Sequence, residues 1–157
     1  MDKNDIEKLH NIAKSFRKMG AKIKLIALLD KAKVEYEKNN YAQCITDCEE
    51  VLLEDKNNPI ALRGIGCALQ SSGKEEKALE YYKKALKYSK NKEIENTLIG
   101  TVYYLRDDFE KALKYYNRAI EINDSYDKAY DGRNQAMLEN HLQILDLQDS
   151  LIRQKIF

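Results

Sequence analysis

Little in this chain can interrupt a helix. Its 157 residues include one proline, Pro59, and six glycines, while Lys, Glu, Leu and Ala are plentiful. Such a composition favours helices. Charge of one sign is also missing: 27 basic side chains balance 26 acidic ones, and a formal net charge of +1 gives no whole-chain case for binding nucleic acid. No apolar run approaches the ~20 residues that a membrane-spanning helix requires. Tryptophan is absent, and three cysteines, an odd number, suit reduced thiols better than a disulfide framework. The first residues lack a signal peptide's apolar core, and Asp2, Asp5 and Glu7 argue against a mitochondrial presequence. The expectation is a cytoplasmic protein with no membrane span.

One local bias stands out against the balanced total. Residues 14–24 carry Lys14, Arg17, Lys18, Lys22 and Lys24 with no acid among them. A basic amphipathic helix can rest on a membrane surface or an acidic partner. The simpler reading, a solvated helix face, is preferred here.

What the chain does contain is a repeat. The stretch EKALEYYKKALKY (76–88) returns as EKALKYYNRAIEI (110–122), an interval of 110 − 76 = 34 residues. On a ruler of that length, segments 25–58, 59–92 and 93–126 align without gaps. Their second halves share the registers Cys44/Ala78/Ala112, Ile45/Leu79/Leu113, Cys48/Tyr82/Tyr116, Val51/Ala85/Ala119 and Leu52/Leu86/Ile120. That spacing makes one stripe of an α-helix. The first halves repeat small and apolar residues in the same manner, as in Ala32/Gly66/Gly100 and Val34/Ala68/Val102. Asn39-Asn40, Ser72-Gly73 and Asp107-Asp108 separate the halves with residues suited to turns and caps. Asn58 and Pro59 supply an N-cap and a first helical position at a unit boundary. Each unit is therefore two antiparallel helices, A and B, joined by a tight turn.

This pattern resembles the tetratricopeptide repeat family. Its units carry small residues at positions 8, 20 and 27 and an aromatic residue at 24. Here position 8 is Ala32, Gly66 and Gly100, and position 24 is Cys48, Tyr82 and Tyr116. Units two and three match well, whereas unit one has Cys44 for alanine and Cys48 for the aromatic. The resemblance implies an all-α fold, a right-handed superhelix of antiparallel helix pairs, with Tyr82 and Tyr116 wedged between units.

The ends do not follow the ruler. Residues 5–20 read as an N-terminal capping helix, with Ile6, Leu9, Ile12, Ala13, Phe16 and Met19 on one face and Gly20 as its end. Residues 127–157 read as a partial fourth repeat and a C-terminal helix. Its apolar positions, Leu142, Leu145, Leu147, Leu151, Ile152 and Ile156, are expected to pack back over the last unit, or else to dock or dimerise.

Chemistry is hard to find. Cys44 and Cys48 have the i, i+4 spacing of a metal or redox pair, but they occupy core positions. Cys67 lies on another helix, and His10 and His141 sit near the ends, so no ligand set has suitable spacing. There is no Gly-rich phosphate loop or nucleophile elbow. The expectation is no catalytic residue, no metal and no cofactor.

The resemblance implies a different kind of site. In that family the A helices line a concave face and touch ligand from positions 2, 5, 9, 12 and 13. The corresponding partner-binding candidates are Lys33, Tyr36, Arg63, Cys67, Gln70, Thr97, Thr101, Tyr104 and Asp131. Family members that grip the acidic tails of heat-shock chaperones use a basic clamp. It would fall at Leu29, Lys33, Gly64, Ile94 and Leu98, of which only Lys33 is basic, so no such binding is expected. The leading expectation is a non-enzymatic module that holds a partner peptide or helix, with Tyr104 and Arg63 replaceable at little cost in stability. The alternatives are a dedicated chaperone like those of type III secretion, or a scaffold that self-assembles through its C-terminal helix.

Overall fold

Helix A of each of the three full units ends in the same backbone device. Asn39, Gly73 and Asp107 are spaced by the repeat length and adopt left-handed φ values of 61°, 72° and 56°. The next amide in each case reaches five residues back: Asn40 to Glu35, Lys74 to Leu69 and Asp108 to Tyr103, at 2.8, 2.9 and 3.0 Å. The left-handed residue itself donates to the carbonyl three residues back, on Tyr36, Gln70 and Tyr104. This paired closure satisfies carbonyls that would otherwise be left open, and Asn, Gly and Asp tolerate its left-handed step best. Asn40 and Asp108 then cap the following helix through their side chains, accepting from Gln43 and Lys111.

The computed structural model describes residues 3–156, with side chains from Asp5 to Gln154. Among them are seven helices and no strand: α1 (Lys3–Glu37), α2 (Tyr41–Glu54), α3 (Pro59–Ser71), α4 (Glu75–Tyr88), α5 (Lys92–Leu105), α6 (Phe109–Ile122) and α7 (Asp127–Ile156). Helices pair as α1 with α2, α3 with α4 and α5 with α6, and each pair packs on the next. Between the first two pairs, Asn58 accepts from the amides of Ile60 and Ala61 and Pro59 opens α3, as the sequence predicts. The result is an all-α superhelical stack.

Its core is built from methyl groups and tyrosine rings. Ala61, Ala68, Ala78, Ala85, Ala112, Ala119, Ala129 and Ala136 are fully buried, and they let the helices approach closely. Tyr82 and Tyr116 fill what space remains. The fit is tight: a methyl added at Gly66 would lie 2.5 Å from the Tyr82 ring, and one at Gly132 would lie 2.5 Å from the Tyr116 ring. Each phenol also finds a partner, Tyr82 donating to Gln70 Oε1 at 2.8 Å and Tyr116 to Thr101 Oγ1 at 3.2 Å.

Both ends differ from expectation. The helix predicted to stop at Gly20 runs on to Glu37, so the N-terminal segment and the first helix A are one rod. A single glycine costs a helix only about 1 kcal/mol, and no turn residue follows it. Ile6, Leu9, Ile12, Phe16 and Met19 are exposed, so this segment does not cap the array. At the other end, the fourth helix A and the tail also form one helix, because nothing in the sequence reverses the chain. Leu142, Leu145, Leu147, Leu151 and Ile152 remain exposed instead of packing back. The side chain of Ile156 lies outside the described residues.

The close approach at Gly66 yields a test with an unusual sign. Ala normally stabilises a helix interior relative to Gly by about 1 kcal/mol. Gly66→Ala is instead expected to lower the unfolding free energy in urea by about 1–3 kcal/mol, through overpacking against Tyr82. Gly20→Ala, whose methyl would meet nothing within 4 Å, should cost no stability.

Candidate functional site

The A helices α1, α3, α5 and α7 carry the sequence-predicted positions, and the structure sorts those residues into two groups. Lys33, Tyr36, Arg63 and Cys67 converge on one cavity of about 430 Å³ between α1, α2 and α3. Ile26, Leu29, Ala32, Cys44, Cys48, Ile60 and Gly64 complete its mostly apolar lining, with Asp30 beside them. Helical periodicity explains the convergence, because positions 2, 5, 9 and 12 share a face of α1 and of α3. Tyr36 is held by a 2.9 Å hydrogen bond between its hydroxyl and that of Ser71.

The remaining candidates lie elsewhere and several of them serve the fold. Gln70 accepts from Tyr82. Thr97 is buried and donates to the carbonyl of Glu93, while Thr101 donates to that of Thr97 and accepts from Tyr116. Tyr104 is half-buried with its ring tilted 56° against Phe109. Asp131 is exposed on α7, away from the cavity.

Arg63 requires a correction. Its Nη1 donates at 3.0 Å to Oε1 of Glu95, whose side chain is fully buried, so Arg63 neutralises an enclosed carboxylate while also lining the cavity. Replacing it cannot leave stability nearly unchanged. Glu95 was missed from sequence, although a signal existed. Its register reads Ala27, Ala61, Glu95 and Ala129, a lone acid in a row of alanines.

Electrostatics at the cavity floor argue against thiol chemistry. Burial pushes the Cys48 thiol from 9.0 up to about 12, and burial likewise raises those of Cys44 and Cys67. At neutral pH all three are protonated, which makes them poor nucleophiles and poor metal ligands. Among the described residues, no group of three or more His, Cys, Asp or Glu side chains could hold a metal ion. No helix among them is long and apolar enough to cross a membrane.

The architecture defines a helical-repeat protein whose distinguishing feature is a surface between A helices. More particularly, the chain carries tetratricopeptide repeats: family models of that description match residues 59–92 and 97–129. No curated protein sequence matches it significantly. Among solved structures, the TPR domain of Sgt2 from Aspergillus fumigatus is similar with a TM-score of 0.69 at 21% identity, over 74% of this chain and 79% of that one. The second TPR domain of human RPAP3, solved with the HSP70 peptide SGPTIEEVD, gives 0.67 at 13%, over 74% and 98%. A Thermobaculum terrenum O-GlcNAc transferase mutant gives 0.69 at 20%, over 74% of this chain but 22% of that one. At these identities the likeness is one of fold, and the fold is generally a non-catalytic interaction module.

The buried ion pair can be tested within the repeat itself. Arg63→Met leaves the buried Glu95 carboxyl without its cationic partner, and is expected to cost about 3 kcal/mol in urea unfolding. Adding Glu95→Ala, which restores the alanine of the other units, should recover most of that loss. A double variant as unstable as the single one would mean that Arg63 acts through packing.

Proposed function

We propose that this chain is a non-enzymatic protein-binding module that holds a segment of a partner protein against its A helices, with α1 and α3 as the main contact. The reading is carried by the cavity on which Lys33, Tyr36, Arg63 and Cys67 converge. Apolar walls with a few polar groups at the rim suit a peptide whose side chains supply buried anchors. Tyr104 and Asp131 extend the contact along α5 and α7. The RPAP3 domain, with its HSP70 peptide, is a similar fold that holds a peptide. The partner here has a different chemistry, because Leu29, Gly64, Ile94 and Leu98 replace the basic clamp that acidic chaperone tails need. The three free cysteines fit a reducing, cytosol-like compartment.

Capture of partners from the native organism tests the reading. Lys33→Glu and Ile60→Asp, both exposed at the cavity rim, should lose a partner that the unaltered chain retains. Leu53→Asp, on a side chain of α2 that is 86% exposed and outside the cavity, should retain it. Loss with Leu53→Asp and retention with the other two would move the site to the B helices.

A second reading, self-association through the ends, is favoured by one observation. Ile6, Leu9 and Phe16 of α1 and Leu147, Leu151 and Ile152 of α7 are all more than half exposed. Light scattering on the intact chain and on one stopped at Asn140 tests it, and a monomer in both cases removes it.

A further inference from the structure

The ring that wedges units two and three is missing from unit one. In units two and three the ring at position 24 lies against position 8 of its own helix A, Gly66 or Gly100, and in unit three it also meets helix A of the next unit. A methyl at Gly100 would lie 2.9 Å from the Tyr116 ring, and one at Gly132, in the next helix, 2.5 Å from it. In unit one the same place is held by Cys48, with Ala32 at position 8 and Gly64 in the next helix, where a methyl would lie 2.8 Å from Cys48 Sγ. The polar partners of the phenols come from position 12 in one case, Gln70, and position 9 in the other, Thr101. Their counterparts in unit one are Tyr36 and Lys33. Ala32, Cys48, Gly64, Lys33 and Tyr36 all line the cavity.

The cavity is thus the tyrosine slot of the repeat, emptied by a cysteine and opened to solvent. We propose that it receives an aromatic side chain, Phe or Tyr, from the bound partner segment, which completes the wedge that this chain does not supply to itself. This rests on the peptide-binding reading above and specifies its anchor. The methyl of Ala32 takes the innermost edge of the slot, so the ring seats nearer the surface, between Leu29, Ile60 and Cys67. Space is ample: apolar cavities of about 150 Å³ hold benzene, and this one is about 430 Å³. Flat apolar walls reward ring faces, and aromatic anchors contribute disproportionately to interfaces.

Toluene and p-cresol, the side-chain analogues of Phe and Tyr, test the slot without a partner, with methylcyclohexane as the non-planar control. In amide NMR titrations of the full chain, both aromatics should give saturable shifts centred on Ala32, Gly64 and Cys67, with dissociation constants on the order of 1 mM. Methylcyclohexane should bind at least about tenfold more weakly. The double variant Ala32→Gly/Cys48→Tyr, which rebuilds the internal ring, should abolish these shifts and raise the melting temperature. Absent or unsaturable shifts, shifts centred elsewhere, equal binding of methylcyclohexane, or undiminished shifts in a folded double variant would each overturn the proposal. The wild-type titrations decide even if that variant does not fold. A partner lost on Lys33→Glu with no toluene binding would end the anchor and leave the groove. Toluene binding with a partner indifferent to Lys33→Glu and Ile60→Asp would end the groove reading and with it the partner as occupant.

Discussion

The close approach of neighbouring helices around one wedge side chain is the constraint on which this molecule depends. Two helices can come together only where their facing residues are small, and the space left between three helices must then be filled. Alanines and glycines meet the first demand, and Tyr82 and Tyr116 meet the second. Protein interiors tolerate neither voids nor overlap well, so the two demands are coupled. Repetition of the coupled pair every 34 residues produces the stack, and the left-handed turns at Asn39, Gly73 and Asp107 set the reversal within each pair.

Seen in this way, unit one is where the chain departs from its own rule. Cys48 is buried and too small to replace a ring, Gly64 adds no side chain, and the cavity opens where the wedge would stand. The departure lowers the packing of that unit and creates a recess with apolar walls. Functional sites are commonly the places where local consistency fails. The partner-binding reading places the function at this failure, and the intact wedges of units two and three hold the frame that presents it.

The parts of the fold that were legible in the sequence are those set by local spacing. The helical stripes and the turns follow from residues a few positions apart, repeated three times; the cap at Asn58 is a single local signal, and the buried tyrosines of units two and three follow from the family resemblance. The ends were less legible for a physical reason. An apolar face at helical spacing is the same whether something covers it or not, so Ile6 to Met19 and Leu142 to Ile152 read as packed when they are exposed. Gly20 read as a stop because glycine often ends helices, but here only the chain beyond it decides, and that chain is all helix-forming. At the site, the registers put Lys33, Tyr36, Arg63 and Cys67 at positions that share a helix face, and in the structure these four line one cavity. The registers did not reveal that Arg63 answers a carboxylate 32 residues away, because the ruler marks Glu95 as a lone acid among alanines but does not say which residue of another register it meets.

The central claim is that filled wedges, rather than helix propensity, distribute stability along the stack. Native-state hydrogen exchange measures this directly, since it reports the opening free energy of each segment. The account predicts the slowest exchange in α4, α5 and α6, where Tyr82 and Tyr116 are enclosed. It predicts faster exchange in α2 and the second half of α1, and the fastest in residues 5–24 and 142–154. Protection in α2 equal to or greater than that in α4 and α6 would contradict it.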